Sequence, residues 1–403
     1  MGVDHIGIEF LKKHHDLAIY LLAIGQTLAW ALIYYVFPAL LLRWEQELGW
    51  SKADLTMAIT IAILVSALAA PAAGRIIDRG YGSAMVGVSA LIGGFSLFLL
   101  SFVNQQWQFY TVWIFMGISI AGCLYEPCFA LVTKSRGVNA KQAIILITLV
   151  AGFASAISYP ATYFLSEVIG WRGTVRVFAV IMILAVAPIL WIGVWKLEAG
   201  QIINTKELDK IRSTKAVICQ PAFWFLGVGF SCLAIAHGAI IYHLLPILDE
   251  RLFSAKMTVI TAALFGPLQV VGRLVMMVLA RFISNFSLTA IAFGLVGLSI
   301  FMLRLSAASP AIILGFIILF GSAHGTVNIL RPLLAREILG ETNFGAKSGA
   351  LAMLYLTGSA MAPFLGSLLW NWGGYDLMLL TLLSFLLVGF IMFWKAYRLT
   401  HKN

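Results

Sequence analysis

Apolar residues fall along this chain in long unbroken runs, separated by short polar breaks. About 20 consecutive apolar residues suffice for a helix to span a bilayer. Twelve runs of that order occur, at 17–42, 55–77, 83–103, 107–133, 142–169, 173–195, 222–248, 257–280, 286–306, 309–334, 344–369 and 374–396. They are too long and too uniformly apolar for the strands of a barrel. Lipid offers the backbone no hydrogen bonds, which leaves helices. The pattern predicts an all-α polytopic membrane protein of twelve transmembrane helices.

Composition agrees with a lipid exterior. Of the 403 residues, 61% are hydrophobic and 11% charged, against roughly 25% charged in soluble domains. The net charge of +10 invites a nucleic-acid reading, but its distribution gives it another purpose. With the N-terminus inside, about 20 of the 27 Lys and Arg fall on the cytoplasmic side and about 7 outside, which is the positive-inside bias. The expectation is a multi-pass protein of the inner (cytoplasmic) membrane with both termini cytoplasmic, including Lys12, Lys13, His14 and His15 in the first 16 residues. No short apolar segment with a small-residue cleavage site precedes the first run, so no removable signal peptide is expected. Cys123, Cys128, Cys219 and Cys232 lack metal-ligand spacing and read as buried bystander thiols. No cofactor, metal or nucleic-acid partner is implied.

The longest polar stretch lies in the middle. Residues 196–221, with Glu198, Lys206, Glu207, Asp209, Lys210, Arg212 and Lys215, separate six runs from six. This gives an N-terminal bundle (1–195), a cytoplasmic linker (196–221) and a C-terminal bundle (222–403). The halves echo each other. Tyr34-Tyr35-Val36-Phe37-Pro38 answers Tyr242-His243-Leu244-Leu245-Pro246; Ala70-Pro71 with Gly74-Arg75 answers Gly266-Pro267 with Gly272-Arg273; Tyr125-Glu126-Pro127 answers Leu330-Arg331-Pro332. The three prolines recur at offsets between 196 and 208 residues. Parallel six-helix halves imply a pseudo-two-fold axis along the membrane normal and a solute site between them.

After the second run stands Gly74-Arg75-Ile76-Ile77-Asp78-Arg79-Gly80-Tyr81-Gly82. It resembles the signature loop of the major facilitator superfamily: Gly, three residues, Asp-Arg, one residue, Gly. Gly74, Asp78 and Arg79 match it, with Arg75 beside them; the closing glycine, Gly82, stands one place later than the pattern has it, and Ser83, Ala84 and Met85 stand where basic residues usually follow. The second copy keeps Gly272 and Arg273, with Arg281 further on, and Met276 takes the Asp place. The resemblance implies a transporter of two pseudo-symmetric six-helix bundles, in which this loop clasps the halves together on the cytoplasmic side when the site faces outward. Gly49-Trp50-Ser51, Tyr125-Glu126-Pro127, Ala151-Gly152-Phe153-Ala154-Ser155 and Gly170-Trp171-Arg172-Gly173 are distantly similar to bacterial relatives of the monocarboxylate-porter branch. That branch often carries an Asp-Arg pair in the middle of the eighth helix, where Leu264–Leu268 here is apolar.

Charge within the membrane marks function. A charged side chain at the bilayer centre costs at least about 2.5–3.5 kcal/mol. Glu126, eight residues before Lys134, lies roughly 12 Å along its helix from the cytoplasmic end. Arg331 stands five residues before Arg336 in the equivalent helix. The superfamily resemblance places the first, fourth, seventh and tenth helices around the cavity, so these two are the candidate coupling and gate pair. His237, His243 and His324 are titratable near neutral pH. Together with Gln26, Trp30, Tyr34, Tyr35 and Asn328 they are candidates for a substrate-binding lining. The expected function is secondary active transport of a small organic solute with an anionic or polar end, by alternating access and coupled to protons, the protein acting as a monomer in the lipid bilayer. Proton-driven efflux of lipophilic compounds and a transporter-derived solute sensor are the alternatives. Membrane-enzyme chemistry is not indicated, since no cluster of nucleophiles, metal ligands or acid–base pairs lies near one interface.

Overall fold

A computed structural model of the protein describes residues 17–137, 140–199, 220–306, 309–340 and 344–400, without the side chains of 141, 328, 332 and 344–349. Lys12, Lys13, His14, His15 and Cys219, linker residues 200–219 and the Asn328 side chain lie outside the described residues. Among the described residues the chain is helical, with no strand.

Ten stretches are long and apolar enough to cross a membrane. Two of them, Gln142–Ala199 and Ala350–Thr400, are 58 and 51 residues long, enough for two crossings each at 1.5 Å per residue. Each is divided by glycine. Gly170 (φ 68, ψ 168) interrupts the first, and Gly373 with Gly374 (φ 70, ψ −174) the second. A positive φ of that size costs an L-residue steric strain that glycine escapes. Among the described residues the count is therefore twelve: α1 Leu17–Leu48, α2 Lys52–Asp78, α3 Gly82–Leu100, α4 Gln106–Arg136, α5 140–169, α6 171–199, α7 Pro221–Glu250, α8 Ala255–Leu279, α9 Asn285–Leu305, α10 Pro310–Leu339, α11 344–372 and α12 375–400. Ser51 opens α2 and Ser254 opens α8, each side-chain oxygen accepting from the N–H three residues on, Asp54 and Met257. This satisfies a donor that the first turn leaves free, at corresponding places in the two halves.

Three helices depart from regularity where the site lies. Trp30–Tyr34 in α1 is a π-helical turn. Its Tyr35 N–H bonds to Trp30 O at 3.0 Å and so passes over Ala31 O. Ser158 of α5 donates to that carbonyl at 2.6 Å. Run 107–133 reads as one continuous helix in the sequence, but α4 is two segments, Gln106–Cys123 and Tyr125–Arg136, joined at an extended Leu124 (φ −86, ψ −152). Pro127 has no N–H for Cys123 O, and Gln26 Nε2 of α1 supplies one at 2.7 Å. In α8, Pro267 likewise deprives Ala263 O, and Ser155 of α5 donates to it at 3.1 Å. Each irregular turn is thus completed by a polar side chain from a neighbouring helix.

The halves meet along α5 against α8 and α2 against α11. At the first crossing Gly266 packs directly on the Gly152 carbonyl, an approach that a side chain at 266 would block. Ser155 Oγ accepts from Gly266 N at 2.8 Å, and Arg273 donates to Thr148 O at 2.7 Å. At the second, Thr56 and Ser367 hydroxyls lie 2.8 Å apart and Lys52 Nζ sits 3.6 Å above the Trp370 ring. The contacts of the second crossing lie toward one end of the bundle, here the distal face. The signature loop marks the opposite face.

Candidate functional site

The distal face is sealed between the halves. Lys52, 7% exposed, pairs with Glu45 at 2.9 Å while covering Trp370, and the Trp370 indole donates to Glu250 at 3.0 Å. Beneath this layer Tyr242 of α7 is fully buried against Phe37 and Tyr34 of α1, with ring centroids 5.8 and 6.0 Å apart. His243 is also fully buried. Its ring nitrogens face Pro363 O at 3.0 Å, Ser367 Oγ at 3.4 Å and Tyr375 OH at 3.4 Å. It fastens α7 to α11 and α12 within the C-terminal half.

The signature face is different. Arg75, Asp78, Arg79 and Gly80 are exposed, and open space lies where a Cβ at Gly74 would stand. The loop is held from its own half. Lys134 of α4 donates to Ile77 O at 2.7 Å and Asp78 O at 3.3 Å. The Glu198 carboxylate of α6 accepts from Gly82 N at 2.9 Å and Ser83 N at 3.1 Å, capping α3. These are the two charge signs that suit a helix C-terminus and N-terminus.

Between the faces lies a lined interior space. Glu126 is exposed yet lies within electrostatic reach of Arg331 from α10 and Tyr34 from α1, so its carboxyl borders open space between these helices. The break at Leu124 puts it in the first turn of the second α4 segment. Beside it, Trp30 packs on Tyr125 and on Tyr34, both at 4.6 Å. Tyr125 stacks on Phe129 at 4.9 Å, and Tyr35 meets Tyr34 edge-on at 5.4 Å. All five rings are half-buried. The π-helical turn presents Trp30 and Tyr34 together.

Arg331 of α10 faces this space from the other half. It is half-buried, its guanidinium lies 4.1 Å from the Tyr355 ring of α11, and Nη1 has no hydrogen-bond partner among the described residues. Arg331 and Glu126 act on each other electrostatically, but among the described residues they form no ion pair within 4.0 Å. His237 of α7 and His324 of α10 lie flat on one another, centroids 3.3 Å apart and planes 5° from parallel, and continue onto Phe320 at 5.4 Å. Of the residues singled out in the sequence, Trp30, Tyr34, Tyr35, Glu126, His237, His324 and Arg331 come together around this interior. Gln26 stands fully buried behind it, and His243 lies apart.

Sequence reasoning missed Arg273. As part of the second motif copy it carries no mark of a site residue, though it lies within run 257–280, and α8 runs six residues beyond it. It is 6% exposed, bonded to Thr148 O and, at 3.3 Å, to Gln269 Oε1, and within electrostatic reach of Tyr35 and Tyr125. Among the described residues, two guanidinium groups, Arg331 and the buried Arg273, and one carboxyl, Glu126, thus act on the groups around the interior. Tyr125 and Tyr355, ordinary aromatics among many, carry no signal in the sequence that separates them from packing residues.

The sequence model of the Major Facilitator Superfamily matches residues 22–337. No curated protein matches the sequence. The fold is similar to crystal structures of a bacterial homologue of the human lysosomal transporter Spinster. In the inward-facing, unoccupied conformation the TM-score is 0.75 at 15% identity, covering 97% of this chain and 98% of that one. In the inward-facing, occupied conformation it is 0.69 at 15% identity, covering 94% and 96%. Likeness at this identity concerns the fold alone, and the family match extends to the superfamily without a branch.

Proposed function

Because the chain belongs to the Major Facilitator Superfamily, we propose that it is a secondary active transporter that carries a small organic anion by alternating access, with Glu126 as the proton-coupling group. The observation that carries this reading is the state of Arg331: a guanidinium in an interior space, resting on the Tyr355 ring, with Nη1 unpartnered among the described residues and Glu126 unpaired across from it. A buried donor without an acceptor costs about 1–3 kcal/mol. Trp30 Nε1 is a second such donor. Guanidinium and indole donate only, so the ligand that satisfies them brings acceptor oxygens. With Arg273 the interior has an excess of positive charge, which favours an anion. A lipophilic efflux substrate leaves those donors unmet.

Topology completes the reading. The positive-inside bias supports a cytoplasmic signature face and cytoplasmic termini, and the short loops suit a bacterial inner membrane. The arrangement is then open to the cytoplasm and closed outside by Lys52, Trp370, Thr56 and Ser367. In the opposite state the signature faces of α4 and α10 approach, Glu126 and Arg331 pair as a gate, and the Asp78 loop clasps the C-terminal half. Protonation of Glu126, or an anion at Arg331, weakens that pair.

The test is uptake of labelled lactate and benzoate into proteoliposomes with and without an imposed proton gradient, with labelled glycerol as the neutral control. The expected result is gradient-driven accumulation of an anion, its loss in Arg331→Gln, and retention of exchange without accumulation in Glu126→Gln. Glycerol uptake with neither anion carried refutes the anion reading; full uphill transport by Glu126→Gln refutes the coupling role.

A further inference from the structure

Gln26 is uncharged, fully buried and outside the interior space, yet it touches the one point on which the placement of Glu126 depends. Pro127 leaves the Cys123 carbonyl without its helical donor. Gln26 Nε2 meets that carbonyl at 2.7 Å and lies 3.5 Å from the next one, Leu124 O. Only the amino end of the amide can face a carbonyl, so the orientation is fixed. Gln26 Oε1 points away, without a partner among the described residues. One helical turn further along α1, the Trp30 ring lies 4.6 Å from that of Tyr125. α1 therefore grips α4 on both sides of the break: the amide on the last residue of the first segment, the indole on the first residue of the second. Glu126 is the next residue in the chain.

We infer that Gln26 is a positioning residue for Glu126, its amide holding the carbonyl freed by Pro127 and so fixing the break from which the carboxyl enters the interior. This rests on the proposal that Glu126 takes the coupling proton. The plainer alternative is a buried amide that stitches two helices together for stability alone. The two roles differ in the effect that loss of the amide has on Glu126. The charged and titratable groups that act on Glu126 are Arg331 from α10, Tyr34 from α1 and the adjacent Tyr125 of α4. Gln26 is none of these. A change in the titration of Glu126 on altering Gln26 comes through the geometry of the break. The same linkage gives the solute a route to the proton. Trp30 begins the π-helical turn that presents Tyr34 to the interior, so a ligand pressing on that turn also moves the grip on α4.

The experiment needs no transported solute. Full-length protein in vesicles of phosphatidylethanolamine and phosphatidylglycerol is treated with dicyclohexylcarbodiimide, which modifies protonated carboxyls in apolar surroundings. Mass spectrometry tracks the Glu126 peptide between about pH 5 and pH 9, a range that brackets the shifts buried carboxyls undergo. Glu126→Gln identifies the site by removing the adduct. The expected result is a midpoint displaced by roughly half a pH unit or more in Gln26→Leu and returned toward the wild-type value in Gln26→His, whose ring nitrogen restores a donor at similar reach. Should Gln26→Leu not fold, Gln26→Asn keeps the amide and draws it back by one methylene, and the same displacement is expected. An unchanged midpoint in a folded Leu or Asn variant overturns the inference while leaving Glu126 in its proposed role. Failure of the His variant to restore the midpoint overturns it too. No adduct on wild-type Glu126 at any pH defeats the underlying coupling proposal instead.

Discussion

Ser155→Ala tests how the two halves are joined. Ser155 Oγ spans the α5–α8 crossing with two bonds, donating to Ala263 O at 3.1 Å and accepting from Gly266 N at 2.8 Å. Pro267 has already removed the helical donor for Ala263 O, so truncation leaves that carbonyl unsatisfied. A buried group in that state costs about 1–3 kcal/mol. Interhelical polar bonds within membranes average about 0.6 kcal/mol and reach about 1.7. The ranges overlap at roughly 1–2 kcal/mol, a factor of about 5–30 in an equilibrium constant. The helices cannot close up to compensate, since Gly266 already touches Gly152. Thermal unfolding of the detergent-purified protein, monitored by intrinsic fluorescence, should show a lower midpoint for Ser155→Ala, with Ser155→Cys falling between. The bond crosses the halves, so exchange rates should change as well. An Ala variant that melts and exchanges like wild type refutes the assignment of this hydroxyl as a strut between the halves.

The same geometry sets further expected outcomes. The Thr56 and Ser367 hydroxyls are 2.8 Å apart across the halves, so Thr56→Cys with Ser367→Cys should form a disulfide under oxidation and arrest exchange, with recovery on reduction; unimpaired exchange by the cross-linked protein excludes a moving seal there. If Glu126 and Arg331 form a gate, Glu126→Arg with Arg331→Glu should recover exchange relative to either single change; a double variant as inactive as the singles leaves Arg331 a binding group only. A cysteine at Asn104 should react with an impermeant reagent added from the periplasm and one at Lys206 should not, and the reverse pattern removes the topology. Gly266→Ala drives its Cβ into the Gly152 carbonyl and should depress the melting midpoint by an amount equivalent to about 1–3 kcal/mol; an unshifted midpoint contradicts the packing.

The twelve crossings were legible because hydropathy is set by solvent, and lipid imposes one requirement on every span. Even the glycine joins fall at the gaps between runs: Gly170 and Gly373 lie within them, and Gly374 is the first residue of the last run. What the runs concealed is irregularity within a span. Pro127 is visible in the sequence, but a proline in a membrane helix bends it, breaks it or is absorbed. The outcome in α4 depends on Gln26, about a hundred residues away. The π-helical turn at Trp30 depends in the same way on Ser158. Arg273 was hidden by a true resemblance: its Gly-Arg pair echoes a loop, while the helix continues past it and buries the guanidinium at the crossing. His243 reads like His237, a histidine in a cavity helix, and only the surrounding Pro363, Ser367 and Tyr375 separate a fastening from a lining residue. Glu126 and Arg331 were legible because an ionisable group in a span is expensive and the repeat pairs them.

The two glycine joins have a consequence for how the chain enters a membrane. Gly170 and Gly373–Gly374 occupy corresponding places in the halves, and each turns one crossing directly into the next with no polar loop between. Neither α5 with α6 nor α11 with α12 has a hydrophilic segment to thread across ahead of its second helix. Each pair is therefore a helical hairpin that the insertion machinery can release into lipid as one unit. The cargo it carries to the far side is little more than Glu167, Arg172 and Arg176 in the first hairpin, matched to Arg43, to the Val103 and Asn104 oxygens and to Ser101, and Asp376 in the second, matched to Arg251. In both hairpins the partners that receive these charges belong to segments synthesised earlier. The order of synthesis thus prepares a landing place before each charge arrives.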